Sequence, residues 1–149
     1  MGSFHVVALE GLPEISPGHD LAASIVSAYA GLTDGDIVVV SSKVVSKSEG
    51  RVVTGLTRDE AVAQESARVV ARRGDLAIVE TSHGLVLAAA GVDASNVADG
   101  SLVLLPPDAD ASARALRASL QDTLGCTIGV IVTDTVGRPW RLGQTDIAI

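Results

Sequence analysis

Residues 35–47 read GDIVVVSSKVVSK, and this stretch decides the fold. The run from Asp36 to Ser42 contains consecutive aliphatic residues bounded by polar ones, which is typical of a β-strand. Because the run offers apolar side chains to both faces, it predicts a central strand of a sheet. Serines and lysines follow at once in the segment SSKVVSK, so polar groups stand directly at the end of an apolar strand.

Helices and strands flank this strand in an irregular order. Before it, the pattern predicts a strand over 5–9 and a helix over 20–30 whose apolar side chains recur every four residues. After it, Thr57 and Glu60 form a capping-box signature. We expect the helix that this signature opens to end near Gly74.

The second half of the chain continues in the same mixed manner. The pattern predicts strands over 76–80, 85–89 and 102–105, a helix capped by Asp108 or Asp110 and closed by Gly125, and a strongly apolar strand over 127–133. Since strands and helices do not alternate regularly, we predict an α/β or α+β fold with a mixed sheet and packed helices.

Composition narrows the class of protein. A chain of 149 residues suits one domain, and 47% hydrophobic with 19% charged residues excludes a disordered tail. No apolar run approaches the ~20 residues that cross a bilayer, so no membrane partner is expected. The net charge of −7 and 2% aromatic content argue against nucleic-acid binding. The single cysteine, Cys126, permits no intrachain disulfide, fits a cytoplasmic location and is interpreted as an apolar filler.

Two polar clusters follow apolar strands in the first hundred residues. The segment 41–47, SSKVVSK, could clamp phosphate oxygens or form a solvated turn. In the segment 91–96, GVDASN, Asp93 and Asn96 could supply oxygen ligands to a divalent ion or an amide to a nucleotide base. A turn in which Asp93 and Asn96 bond only to nearby backbone groups explains this segment equally well.

The third cluster, TDTVGRPWR at 133–141, is the most informative. Asp134 at the carboxyl end of a buried strand is a frequent metal ligand beside a phosphate, and Thr135 adds a hydroxyl oxygen. Arg138 and Arg141 can hold a carboxylate or phosphate bidentately, while Trp140 is interpreted as a core anchor. The sequence has no GxxxxGK[ST] or GxGxxG loop, so these residues by themselves predict only a metal–phosphate site.

Together the clusters resemble the coenzyme F-420: L-glutamate ligase family, the gamma-glutamyl ligases of deazaflavin cofactor biosynthesis. The matching segments are GLPEI at 11–15, GDIVVVSSKVVSKSEGR at 35–51, HGLVLAAAGVDASN at 83–96, LLPPDADASARALR at 104–117 and GVIVTDTVGRPWRLGQTD at 129–146. The resemblance implies a mixed α/β fold, a homodimer, and GTP-dependent ligation that needs Mg2+ or Mn2+, with K+ as a further candidate ion. In the reaction that the resemblance implies, GTP activates the lactyl carboxylate of the deazaflavin precursor, L-glutamate then attacks the acyl phosphate, and a second glutamate is added through a gamma-linkage.

The resemblance also implies roles for particular residues. It assigns contacts with GTP to Leu12, Pro13, Glu14, Ile15, Ser42, Lys43, Lys47 and Asn96. It assigns one metal ion to Asp93 and Asp134 and a second to Thr135, and it names no catalytic base. In that chemistry, metal ions and lysines neutralise phosphate charge so that a carboxylate can approach phosphorus.

The sequence departs from the family pattern in two places. Ser82 stands where an arginine is usual, and Leu142 stands where an asparagine is usual. The family also continues past the GQTD motif, so we expect residues 1–149 to be the N-terminal portion of the ligase domain, followed in some relatives by a flavin-binding domain. The alternatives are a non-catalytic GTP- and metal-binding or dimerisation module, and a different carboxylate-activating ligase on the same scaffold.

Overall fold

The computed structural model of the chain describes residues 2–138 and 142–149. Its α-helices are α1 (Leu21–Ala28), α2 (Ser42–Ser48), α3 (Arg58–Glu65) and α4 (Ala109–Leu124). Its strands are β1 (Ile37–Ser41), β2 (Val52–Thr54), β3 (Ser66–Arg73), β4 (Leu76–Thr81), β5 (Val86–Ala88), β6 (Ser101–Val103), β7 (Gly129–Gly137) and β8 (Gln144–Ala148). The predicted fold class, α/β with a mixed sheet and packed helices, is confirmed.

Three small sheets organise the described strands. The first has the order β1-β7-β8, in which β1 and β7 are parallel while β7 and β8 are antiparallel. The second pairs β2 with β6, and the third has the order β3-β4-β5, both antiparallel. None of the described helices is long and apolar enough to span a bilayer.

Two apolar cores hold these sheets against the helices. The first joins α1, α2 and α4 to β1 and β7, with Leu120 fully buried at its centre. The second packs α3 against β4 and β6 around Ala61 and Val79. Since burial of each aliphatic side chain contributes ~1.5–3 kcal/mol, these two clusters are the main source of stability.

Local sequence signals explain the ends of α3 and α4. Thr57 and Glu60 form the predicted capping box at the start of α3. The Asp108 carboxylate accepts a hydrogen bond from the Ala111 N–H at 2.7 Å at the start of α4. Gly125 then ends α4 in a left-handed conformation, φ 70°, which a residue without a Cβ adopts at little cost.

The predicted helix extending to Gly74 is wrong in its second half. The chain leaves the helix after Glu65 and forms β3, which pairs with β4 from Ser66↔Thr81 to Arg73↔Leu76. The segment SARVVARR is compatible with either structure by propensity. Pairing with β4, a tertiary contact, decides in favour of the strand.

Two further predictions about the first sheet are wrong. Residues 5–9 form no strand, and β1 is an edge strand rather than a central one, because β7 is its one partner among the described residues. Its burial alternates, with Val38 and Val40 in the core while Ile37 and Val39 remain about 60% exposed. A run of valines fits a half-buried strand as well as a fully buried one, so composition could not separate the two.

The interpretation of 41–47 as a solvated turn is also wrong. Ser42–Ser48 form α2, in which Val45, Ser46 and Lys47 are buried. Cys126 is half-buried and packs against the first core, which agrees with its interpretation as an apolar filler. Trp140, interpreted as a core anchor, lies outside the described residues.

Candidate functional site

The parallel pair β1–β7 brings two of the three polar clusters to one edge of the sheet. In the pairing register Ser41 lies opposite Thr133, so the start of α2 and the segment beginning at Asp134 are neighbours. The Ser42 hydroxyl, which is buried, donates to the Asp134 carboxylate at 2.8 Å. Residues 92 positions apart in the sequence are thereby joined.

The remaining cluster joins this edge through Lys43. Its ammonium group forms an ion pair with the Asp93 carboxylate and donates to the Ser95 hydroxyl at 2.5 Å. Ser95 in turn donates its N–H and its hydroxyl to Asp93, at 3.0 and 2.6 Å. In the segment 91–96, Asp93 therefore accepts hydrogen bonds from Ser95 within the local turn and also pairs with the distant Lys43. Ser95 was not singled out from the sequence, although a hydroxyl two residues after an aspartate is the signal for such a turn.

The two carboxylates experience different electrostatic surroundings. Burial raises the pKa of Asp93, but hydrogen bonds from Lys43 and Ser95 outweigh it and lower the pKa to about 2. Burial raises the pKa of Asp134, and the negative charge of Asp93 adds to this effect despite the hydrogen bond from Ser42. The hydrogen bond from Ser42 to Asp134 and the ion pair of the next residue, Lys43, with Asp93 bring the two carboxylates to neighbouring positions.

The donor set at this position fits a hard divalent cation. Two carboxylates and the hydroxyls of Ser42 and Ser95 supply oxygen atoms, which Mg2+ and Mn2+ prefer. Within residues 2–138 and 142–149, no further His, Cys, Asp or Glu completes a group of three around them. A cation here would take its other ligands from water or from substrate phosphate, as Mg2+ commonly does.

Thr135 is placed on the opposite face of the sheet from Asp134. Val130 and Val132 of β7 pack on the first core, and Asp134 shares their face because alternate residues of a strand point the same way. The Thr135 hydroxyl instead donates to the Asp146 carboxylate of β8 at 2.6 Å. The structure thus brings Asp93 and Asp134 together, and it places Thr135 beside a different carboxylate that the sequence did not suggest.

A cavity of about 530 Å3 opens beside this edge, and we call it the nucleotide cavity after the predicted GTP contacts among its lining residues. Of the residues predicted to contact GTP, it is lined by Leu12, Pro13, Glu14, Ile15, Lys43, Lys47 and Asn96. Its walls include Val38, Val39 and Val40 of β1, so it combines an apolar side with cationic groups. Ser42 is absent from this lining and bonds to Asp134 instead.

Lys47 is the more buried of the two lysines in the nucleotide cavity. Its side chain is 10% exposed, and its ammonium group lies 2.5 Å from the Glu14 carboxylate. Glu14 is 83% exposed, so it can swing away from Lys47 at little cost. Lys47 is consequently a buried cation whose carboxylate partner a bound anion could replace.

Arg138 of the third cluster is displaced along the chain from this edge. Arg138 follows β7 four residues beyond Asp134, which at ~3.3 Å per residue is roughly 13 Å away. Its N–H donates to the Gly143 carbonyl at 3.2 Å in the turn that leads to β8. Arg141 lies outside the described residues. Of the two departures from the family pattern, Ser82 lies in the β4–β5 turn and Leu142 is fully exposed before β8.

Fold and site together define a mixed α/β protein in which two neighbouring carboxylates, a candidate cation site, lie beside a lysine-lined cavity. The sequence model of the family described as F420-0:Gamma-glutamyl ligase matches residues 11–61 and 57–149, and the chain therefore belongs to that family.

Named relatives agree with this membership. The Coenzyme F420:L-glutamate ligase of Halobacterium salinarum is 41% identical over 169 residues, covering 97% of this chain and 65% of the relative. The ligase of the same name from Methanothermobacter thermautotrophicus is 36% identical over 167 residues, covering 97% and 66%. That from Methanopyrus kandleri is 36% identical over 171 residues, covering 100% and 68%. The chain thus spans about two thirds of the length of these relatives.

Proposed function

We propose that this chain carries the GTP- and metal-binding part of a ligase that joins L-glutamate to the carboxylate of the deazaflavin precursor F420-0. The observation that carries the proposal is the position of Lys43. It lines the nucleotide cavity and also pairs with Asp93, so the cavity and the carboxylate pair meet at one side chain. Membership of the F420-0:Gamma-glutamyl ligase family supplies the substrate class.

The proposed reaction has two balanced steps. A carboxylate oxygen of the acceptor attacks the γ-phosphorus of GTP, and the bond from phosphorus to the β–γ bridging oxygen breaks to release GDP. The amine of L-glutamate then attacks the acyl carbon, phosphate leaves, and the amine loses a proton to solvent or phosphate. A second glutamate is joined in the same way to the gamma-carboxylate of the first.

The residues of the site divide this work between them. Lys43 and Lys47 bind phosphate oxygens as point charges, which requires exchange of their carboxylate partners for phosphate. Asp93 and Asp134 would hold Mg2+ or Mn2+. When bound, the cation supplies charge neutralisation of the transferred phosphoryl group. Ser42 orients Asp134 through its hydrogen bond of 2.8 Å. Glutamate addition needs no general base from the described residues.

The nucleotide cavity accounts for the proposed choice of an organic phosphate over a simple anion. Its valine wall on β1 offers apolar contact to a base or ribose, while Asn96 offers an amide that can both donate to and accept from a base edge. Asn96 is held at φ 56°, an unusual conformation for a residue other than glycine. Asparagine adopts this left-handed conformation more readily than most residues, so the turn carries little strain.

Calorimetry followed by a turnover assay tests the proposal. The chain should bind GTP in the presence of Mn2+, and GTP, L-glutamate and F420-0 should yield amide, GDP and phosphate. Asp134→Asn should abolish metal-dependent GTP binding, whereas Asp122→Asn, an exposed position on α4, should have no effect. Unchanged GTP binding and turnover in Asp134→Asn would contradict the metal assignment.

Binding without turnover is the second candidate function. It is favoured by the site itself, in which Lys43 and Lys47 already pair with carboxylates and no third His, Cys, Asp or Glu of the described residues completes a metal-binding group. Tight, Mn2+-dependent GTP binding with no amide formation would support a binding or dimerisation module. The family resemblance also implies a homodimer, and sedimentation velocity measures that property independently.

A further inference from the structure

A second cavity, of about 560 Å3, lies between α3 and the β3–β4 pair. It shares no lining residue with the nucleotide cavity. Three arginines are among its lining residues, Arg58, Arg68 and Arg72, and we call it the arginine cavity. Its floor is apolar and includes Val69 and Val79.

The lining of the arginine cavity has more cationic than anionic residues, although the chain as a whole is acidic. The chain has 11 lysines and arginines and a net charge of −7, yet three of the arginines line this one cavity. Asp59 and Asp75 also line it, so part of the positive charge of the arginines is balanced. Arg68 is paired with Glu80 outside the cavity lining. The Arg72 guanidinium makes no hydrogen bond or ion pair to any residue in 2–138 and 142–149, which leaves its donors available to a ligand.

Arg58 connects the arginine cavity to the carboxylate pair. Its guanidinium donates to the Val92 carbonyl at 3.2 Å. Val92 directly precedes Asp93, and neighbouring Cα atoms are ~3.8 Å apart. The rim of the arginine cavity is therefore one residue from the candidate cation site.

A strained turn forms the rest of this connection. Ala89 lines the arginine cavity, and Ala89 and Ala90 have φ values of 50° and 53°. Residues with a Cβ seldom adopt this conformation, and it persists where the surroundings impose it. Both alanines are buried. The turn runs from the cavity wall at Ala89 to Asp93, so it fixes the distance between the two sites.

We propose that the arginine cavity binds the acceptor of the ligation reaction, an inference that rests on the function proposed above. The acceptor, a lactyl-phospho-deazaflavin, has a planar aromatic ring, a phosphate ester and a terminal carboxylate. The apolar floor takes the ring, and Arg72 and Arg58 bind the phosphate, because guanidinium groups bind phosphate bidentately and stack on planar rings. The carboxylate then points past Val92 toward Asp93, where the γ-phosphate of GTP would lie.

Equilibrium dialysis of the 149-residue chain against F420-0, without GTP, tests this inference. Arg72→Gln and Arg58→Gln should each weaken F420-0 binding by about tenfold or more, since each loses a charge-assisted hydrogen bond. Arg114→Gln is the matched control. Arg114 is an exposed arginine of α4 whose nearest carboxylate is 3.9 Å away. It should bind F420-0 like the wild type.

A second measurement avoids substitution altogether. In methyl NMR spectra, F420-0 should shift the resonances of Val69 and Leu76, which line the arginine cavity, and leave that of Val38 in the nucleotide cavity unchanged. GTP with Mn2+ should do the reverse. Folding of each variant is checked by its thermal unfolding transition.

The outcomes separate this inference from the proposed function. Loss of F420-0 binding in Arg72→Gln with intact Mn2+–GTP binding supports the arginine cavity as the acceptor site. Wild-type affinity for F420-0 in both arginine variants, or absence of F420-0 binding by the wild type, overturns it even if GTP binds. Absence of Mn2+–GTP binding by the wild type contradicts the proposed function instead.

Discussion

Lys43→Gln is the substitution that separates the roles of the site residues most sharply. Lys43 is 22% exposed and pairs with Asp93, which is 43% exposed. If the ammonium group occupies the place of a cation at Asp93, then Lys43 and a divalent ion compete for the same carboxylate. Removing the ammonium should tighten Mn2+ binding in the absence of nucleotide and weaken GTP binding in its presence.

The size of each effect follows from the geometry. A partly exposed ion pair contributes ~0.2–1 kcal/mol, so loss of this competition should tighten Mn2+ binding by about 1.4- to fivefold. A charge-assisted bond from Lys43 to phosphate contributes ~1.5–3 kcal/mol, so GTP should bind roughly 10- to 100-fold more weakly. The two changes have opposite signs, which a general loss of structure cannot produce.

Lys47→Gln is the matched control for this experiment. Lys47 also lines the nucleotide cavity, but its partner is Glu14 rather than a carboxylate of the cation site. It should weaken GTP binding without changing the affinity for Mn2+ alone. Isothermal titration calorimetry gives both constants, and Mn2+ paramagnetic resonance checks the metal binding independently. Weaker Mn2+ binding in Lys43→Gln would refute the competition between Lys43 and the cation.

Three further substitutions test the stability of the framework. Asp134→Asn should raise the melting temperature of the metal-free protein at pH 7, because its free energy of unfolding should increase by an amount on the order of 1 kcal/mol or less. The raised pKa of Asp134 shows that its ionised form is disfavoured in the folded protein. The stabilisation by Asp134→Asn should therefore shrink as the pH falls through that pKa and vanish below the unfolded value of 3.8. A stabilisation that persists at pH 3 would contradict this. Arg51→Gln should lower the free energy of unfolding in urea by ~1–3 kcal/mol, because Arg51 donates to the Leu105 carbonyl at 3.0 Å and to Glu65 at 2.8 Å; an unchanged urea midpoint would show that water replaces both bonds. Gly91→Ala should cost more than ~1 kcal/mol by the same assay, since Gly91 has φ +70° and an added Cβ would lie 2.7 Å from Leu105; wild-type stability would mean that Leu105 moves freely.

Local signals in the sequence were sufficient for helix ends and for several strands. The capping box at Thr57, the aspartate before α4 and Gly125 after it all have effects confined to one helical turn, so their patterns can be read without knowing the fold. The strand pair 76–80 and 85–89 was likewise predicted close to its observed position.

The errors arose where a distant partner decides the structure. β3 is a strand because β4 lies beside it, and residues 5–9 are not a strand although their composition suits one. β2 and β8 were missed for the same reason, since each is short or polar and is defined by its pairing with β6 or β7. Propensity differences of less than ~1 kcal/mol per residue are too small to outweigh such pairing.

The grouping of polar residues at strand ends follows more directly from the sequence than does the sheet that holds them. Polar residues directly after apolar strands converge when those strands are parallel, and the register Ser41↔Thr133 shows this for the first and third clusters. The convergence of Asp93 on Lys43 could not be inferred from spacing, because it depends on the isolated bridge between Asp93 and Val103. The arginine cavity left no motif at all, since its arginines are brought together only by the packing of α3 on β3.

Charge balance explains how an acidic protein could hold a triphosphate at this site. Lys43 and Lys47 face Asp93, Asp134 and Glu14, so the ligand-free site has two positive and three negative groups. In that state it repels a nucleotide. A divalent cation at Asp93 and Asp134 changes the sum from −1 to +1 and releases Lys43 for phosphate, which inverts the local sign while the chain's own residues still sum to −7. Metal binding and GTP binding at these residues should therefore reinforce each other, and by linkage each should strengthen the other by the same factor.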